Sequence, residues 1–178
     1  MKKLTHEEIL QIKPSVEDVS KAKRSPFVAV LDNVRSLYNV GAIFRTSDAV
    51  MLEKLYLCGI TGQPPRNEIS KTALGADEIV PWEYSDSAVD VIKKLKKDGY
   101  TICAVELAHE SISYEKADFN FPLCLIFGHE VEGISDEVME LADMAVKVPM
   151  LGRANSLNVE TCYGIVVYEV LKKLNEKI

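Results

Sequence analysis

Along the chain, short runs in which nearly every position is apolar alternate with stretches in which apolar positions return every three or four residues. FVAVLD (27–32), KLYLCG (54–59), YTICAVE (100–106), PLCLIFG (122–128) and AVKVPM (145–150) are of the first kind. Unbroken apolar runs of this length read as strands buried on both faces, as in a parallel sheet. NVGAIFRTSDAVM (39–51) is of the second kind, with Val40, Ile43, Phe44 and Ser47 near one helical face. DSAVDVIKKLKKDG (86–99) places apolar residues at 88, 89, 92 and 95 and stops at Gly99. ISKTALGA (69–76) predicts a short helix and EIVPW (78–82) a short strand. SDEVMELAD (135–143) predicts a helix with a Ser cap and an acidic first turn. A long helix is expected from about Ser156 to Lys177. Residues 6–22 read as helical and broken at Pro14, which divides the chain into an extension, 1–24, and a single domain, 25–178. Strands separated by helices predict an α/β fold, a parallel sheet with helices on both faces. Ligands of such sheets bind beyond the carboxyl ends of the strands.

Composition narrows the class. A chain of 178 residues suits one domain. It lacks the apolar run of about 18 residues that a membrane span requires. The first residues carry Lys2 and Lys3 but then Glu7 and Glu8, with no apolar core segment, so they do not read as a secretory signal. A cytoplasmic location is expected. Cys58, Cys103, Cys124 and Cys162 match no paired metal spacing, and the first three lie in apolar runs, as reduced core cysteines do. No metal is expected, and His6, His109 and His129 form no ligand set. The net charge of −6 argues against a protein that coats nucleic acid nonspecifically. The charge is uneven, however: residues 1–24 sum to +2 and the remainder to −8.

The five arginines are the informative charges. Arg35, Arg66 and Arg153 follow strands and are expected on one carboxyl edge, with Arg45 close by on the first long helix. Arg grips phosphate in a planar, two-pronged manner that Lys does not match. Three loops on that edge are rich in turn formers: 32–45, 127–135 and 148–160. Several ligand-binding classes are disfavoured by absent motifs. G-x-G-x-x-G does not follow the first strand, and neither a phosphate loop nor a G-x-S-x-G elbow is present. Glu106, at a strand end, is the one residue that imitates the ribose-binding acid of a dinucleotide fold.

At those three loops the sequence resembles the SpoU (TrmH-like) family of RNA ribose 2′-O-methyltransferases in the SPOUT superfamily, from about Pro26 to Lys173. N-x-G-A-I-F-R-T carries Asn39, Gly41 and Arg45; L-I-F-G-H-E-V-E-G-I-S carries Gly128, Glu130 and Gly133; V-P-M-L-G-R-A-N-S-L-N-V carries Pro149, Met150, Gly152, Ser156, Leu157 and Asn158. The resemblance implies a C-terminal trefoil knot, which physics alone would not suggest because threaded chains are rare. It also implies a homodimer, and S-adenosylmethionine (AdoMet) held by Leu107, Gly128, Glu130, Met150, Ser156, Leu157 and Asn158. It implies a structured RNA substrate, tRNA or rRNA, met by Arg35, Arg45, Arg66 and Arg153. The catalytic set it implies is Arg45, Asn39, Glu130, Ser156 and Asn158. Where relatives continue the third motif with small residues, this chain runs Glu160, Thr161, Cys162, Tyr163. Glu160 is therefore expected either to repel RNA or to cap the start of the last helix.

The resemblance gives proton removal from the ribose hydroxyl to Arg45. A neutral arginine at pH 7 costs about 7 kcal/mol unless its surroundings lower its pKa. A charged Arg45 that fixes phosphate and stabilises developing negative charge is the second role. Asn39 is expected to orient Arg45 or the ribose, and Glu130 to brace the motif loops. A catalytically silent RNA-binding module, a base methyltransferase of the same superfamily and a Rossmann-type methyltransferase are the alternatives.

Overall fold

Seven strands, all paired in parallel, form one sheet in a computed structural model that describes residues 1–177. In chain order they are β1 (Ser25–Asp32), β2 (Leu52–Cys58), β3 (Trp82–Ser85), β4 (Thr101–Val105), β5 (Ile112–Ser113), β6 (Leu123–Phe127) and β7 (Met144–Lys147). Their spatial order is β3-β2-β1-β6-β4-β7-β5. The helices are α1 (His6–Ile12), α2 (Val16–Lys21), α3 (Leu37–Ala49), α4 (Asn67–Ala73), α5 (Ala76–Ile79), α6 (Ala88–Lys97), α7 (Asp136–Met139) and α8 (Val159–Glu176).

The unbroken apolar strands have the cause expected of them, because each face of the sheet has its own core. On β1, Phe27, Ala29 and Leu31 pack with residues of α3, α4, α5 and α8, while Val28 and Val30 pack with α6 and α7. The helical face read from the sequence is the buried face of α3, and its one polar member has a partner: the Ser47 and Tyr163 hydroxyls, both buried, lie 2.6 Å apart and tie α3 to α8. Gly41 permits a close approach between α3 and α4, since a Cβ there would collide with the main-chain oxygen of Ile69.

Several expected boundaries move. EIVPW is not a strand. Leu74, in the left-handed region, ends α4, and Gly75, at φ +91°, starts the short helix α5. Strand β3 then begins only at Trp82, past Pro81. The last strand stops at Lys147 rather than 150, and the last helix begins at Val159 rather than Ser156, which leaves 148–158 as a loop. The helix expected over 135–143 is a single turn; Ser135 occupies its cap position, but its hydroxyl donates to Asp32 Oδ2 at 2.8 Å. Strand β5 and the 3₁₀ turn at Tyr114–Lys116 carried no pattern that announced them. Helices α1 and α2 bury no residue, and each is closed by its own capping box, from Thr5 with Glu8 and from Ser15 with Asp18.

Candidate active site

The loops after β1, β6 and β7 converge beyond the carboxyl ends of their strands, and one side chain joins all three. Asn39, in the first turn of α3, donates from Nδ2 to Glu130 Oε1 at 2.9 Å. Its Oδ1 accepts from Asn158 Nδ2 at 3.2 Å. Glu130 also accepts from the backbone N–H groups of Arg35 and Ser36, each at 3.0 Å. Its carboxylate thereby satisfies donors at the entry to α3, where the helix dipole favours an anion. Asn158 caps α8, its Oδ1 accepting from Glu160 N at 2.9 Å and Thr161 N at 3.4 Å. Partial burial pushes the Glu130 carboxyl up, but the hydrogen bonds from Arg35, Ser36, its own backbone and Asn39 outweigh this and hold it below the ordinary value. A carboxylate so engaged makes a good brace and a poor proton acceptor.

Beneath this bridge lies a cleft of about 280 Å³. Leu107, Gly128, Glu130, Met150, Ser156, Leu157 and Asn158 all line it. Its apolar lining includes Val105, Phe127, Val148 and Cys162, and Glu106, His129 and Glu132 complete the polar part. Gly128 belongs there for a steric reason, since a Cβ would strike the backbone of Gly133 and Ile134 as the loop folds back. The fold-back is held by the paired backbone bonds of His129 and Gly133, and by His129 Nδ1, which accepts from Val131 N at 3.1 Å and Glu132 N at 3.2 Å. A histidine at 129 gave no sequence signal for this role, because it acts as a turn cap rather than as a ligand. Glu106 is also occupied: it accepts from Leu107 N at 2.8 Å and Ile134 N at 3.1 Å, and so ties β4 to that loop instead of standing free for a ribose. Of the free cysteines, Cys58, Cys103 and Cys124 are buried in the core, while Cys162 borders the cleft, its thiol pushed up to about 11 by burial and the nearby Glu106.

Arg45 is not on the wall of this cleft. It lies in a second groove, between α3, α4 and α8, with Lys71, Thr72, Glu160 and Tyr168. Asn39 makes no bond to it; the Asn39 amide is taken up by Glu130 and Asn158. Arg35, Arg66 and Arg153 are exposed in loops that follow β1, β2 and β7. Among the described residues, the side chains of these three and of Arg45 form no hydrogen bond or ion pair. Arg24 differs, because its guanidinium donates to the main-chain oxygens of Leu52 and Ile79, both at 3.0 Å. No group of three His, Cys, Asp or Glu residues among those described is placed to hold a metal ion. No described helix is long and apolar enough to cross a membrane.

Known proteins resemble this chain in sequence and fold. The tRNA (guanosine(18)-2′-O)-methyltransferase of Aquifex aeolicus is 33% identical over 91% of this chain and 76% of its own length. That of Thermus thermophilus is 30% identical over 89% and 80%. The crystal structure of the A. aeolicus TrmH/SpoU tRNA modifying enzyme superposes with a TM-score of 0.82 at 32% identity, covering 91% of this chain and 82% of that one. An AdoMet-bound rRNA methyltransferase from Sinorhizobium meliloti gives 0.79 at 29%, covering 84% and 57%. The fold is that of AdoMet-dependent RNA methyltransferases. Within that class the chain belongs to the SpoU rRNA methylase family, whose model matches residues 26–168.

Proposed function

We propose that this chain methylates a ribose 2′-hydroxyl of tRNA or rRNA, drawing the methyl group from AdoMet bound in the cleft between 105–107, 128–133 and 148–158. The observation that carries this reading is the convergence of the three motif loops on Asn39, Glu130 and Asn158 directly beside that cleft. The cleft suits the cofactor. Leu107, Met150 and Leu157 offer apolar surface to a flat base, the loops offer main-chain donors and acceptors, and Glu106, Glu130 and Glu132 give the wall a negative character that favours a sulfonium and an ammonium. When bound, AdoMet supplies an activated methyl group on sulfur. The protein's share is placement, which is worth several kcal/mol when reacting atoms are pre-aligned. Ser156 and Asn158 line the cofactor site, and Asn39 and Glu130 hold its loops in register. Arg45 grips the RNA phosphate next to the reacting ribose and stabilises negative charge as it develops. Arg35, Arg66 and Arg153 extend that grip along the carboxyl edge, and residues 1–24 form a separate arm outside the methyltransferase domain.

The active form is a homodimer that works in the cytoplasm, where its free cysteines stay reduced. The exposed aromatic rings of Tyr38 on α3 and Tyr168 on α8 support association through these helices. The C-terminal part threads a trefoil knot. Supporting this, β7 pairs beyond β4 on the side away from β6, while the loops after β6 and β7 meet at one cleft.

Calorimetric titration with AdoMet tests the cofactor site without requiring the RNA. One site per chain, weakened at least tenfold by Asn158→Ala, is expected; folded protein that binds no AdoMet overturns the assignment. Nucleoside mass spectrometry of methylated RNA tests the acceptor atom, and a methylated base in place of the ribose would refute the 2′-hydroxyl. Sedimentation at micromolar concentration tests the dimer, and an experimental chain trace tests the knot.

A further inference from the structure

Two caps of the same form flank the cofactor cleft. On one side, Asn158 Oδ1 accepts from the N–H groups two and three residues on, Glu160 at 2.9 Å and Thr161 at 3.4 Å. On the other, His129 Nδ1 accepts from the N–H groups two and three residues on, Val131 at 3.1 Å and Glu132 at 3.2 Å. His129, Val131 and Glu132 all line the cleft. The two caps differ in chemistry. An amide oxygen accepts at any ordinary pH, whereas imidazole accepts through one nitrogen while neutral and through none once protonated. A protonated His129 would turn an N–H toward two N–H groups, and both bonds would be lost. The turn would then keep only the backbone pair between His129 and Gly133, at 3.0 and 2.9 Å, and the bond from Ile134 N to Glu106. Val131 and Glu132 are exposed, so water can take up their N–H groups and the turn loosens without unfolding the domain.

The ionisable groups around His129 are Glu106 after β4, Glu130 and Glu132 on its own loop, Lys147 at the end of β7, Cys162 on α8, and Arg35 in the loop bonded to Glu130. Glu106 and Glu130 are spent on N–H donors, and burial with Glu106 nearby pushes the Cys162 thiol up, away from neutral pH. Histidine is the side chain that ordinarily changes charge between about pH 5 and 8.

We propose that His129 is a positioning residue that sets the cofactor loop through its neutral imidazole, so that protonation of this one side chain weakens AdoMet binding. This rests on the reading above that the cleft takes AdoMet. The sign follows from the bonds. The turned loop requires an unprotonated Nδ1, so acid favours the loosened loop and affinity falls as pH falls.

The test measures AdoMet affinity by calorimetry from about pH 8 to 5.5 for wild type, His129→Asn and His129→Ala. His129→Ala lacks both bonds and is expected to bind about tenfold more weakly than wild type at pH 8, the scale of two backbone hydrogen bonds. His129→Asn offers an oxygen to the same N–H groups, as Asn158 does at its own turn, and is expected to regain most of that loss. The titration of AdoMet itself is common to all three proteins, so the comparison with His129→Asn carries the assignment. Relative to His129→Asn, wild type is expected to lose about tenfold in affinity by the acid end of the range. Parallel pH dependence in these two proteins overturns the proposal, as does His129→Asn binding no better than His129→Ala. Proton–nitrogen spectra of the free protein supply a second measurement. The amide resonances of Val131 and Glu132 are expected to move together as the His129 ring titrates, and to hold still in His129→Asn; resonances that ignore the ring also overturn the proposal. Wild-type protein that binds no AdoMet at pH 8 refutes the cofactor reading instead, and the spectra still decide the turn.

Discussion

Replacing Glu130 with glutamine isolates the carboxylate that holds the entry to α3. Three donors converge on it, from Arg35 N, Ser36 N and Asn39 Nδ2, at 3.0, 3.0 and 2.9 Å. Buried, three charge-assisted bonds would be worth several kcal/mol. Glu130 is exposed, so solvent screens the charge, and glutamine keeps one oxygen that still accepts. The expected cost near neutral pH is therefore about 1–2 kcal/mol. At this chain length that lowers the melting temperature by roughly 2–8 °C at fixed protein concentration. The pH dependence gives a second check. Partial burial raises the Glu130 pKa, but the hydrogen bonds outweigh it and depress the folded value below the ordinary 4.5. A depressed carboxylate contributes stability that is complete above its unfolded pKa and is lost as pH falls through its folded one. The gap between wild type and variant, read from urea midpoints, should be full near pH 7 and should close in acid below the ordinary carboxylate pKa. A variant as stable as wild type near pH 7, or a gap that persists unchanged in acid, would refute the account of Glu130 as a charged brace.

Other perturbations separate the cofactor site, the RNA edge and the scaffold. Gly128→Ala forces a Cβ into the backbone of Gly133 and Ile134, and should weaken AdoMet at least tenfold by calorimetry while costing about 1–3 kcal/mol of stability; unchanged AdoMet binding would show that the fold-back of this loop does not shape the cleft. Arg66→Ala and Arg153→Ala should each lower RNA affinity and flatten its salt dependence by about one phosphate contact, with AdoMet affinity unaltered; equal salt slopes in all three proteins would remove these residues from the RNA edge. Arg24→Ala should do the reverse, costing about 1–3 kcal/mol in urea unfolding by freeing the oxygens of Leu52 and Ile79, with RNA affinity intact.

The sequence disclosed the strands because burial on both faces leaves no polar positions to interrupt them, and β1, β2, β4 and β6 lie within a few residues of where the apolar runs put them. It disclosed the cleft residues because their motifs are local strings. What it did not disclose is how the strings meet. The bonds from Asn39 to Glu130 and from Asn158 to Asn39 span 91 and 119 residues, and no periodicity reports contacts at such separations. Propensity misled at EIVPW, where β-branched residues beside a tryptophan suggested a strand, but the left-handed backbone at Leu74 and Gly75 restarts a helix first. Glu106, the strand-end residue that imitates a ribose-binding acid, is taken up instead by the backbone N–H groups of Leu107 and Ile134.

A single capped turn, 158–160, forms part of the wall of both concavities, and this has a thermodynamic consequence. If the cleft takes AdoMet and the groove takes RNA as proposed, a displacement of that turn by the cofactor would alter the groove, and a displacement by RNA would alter the cleft in return. Linkage requires the two affinities to change by the same factor, whichever ligand arrives first. On the proposed assignment, the position of one capped helix end would therefore couple the affinity for AdoMet to the affinity for RNA.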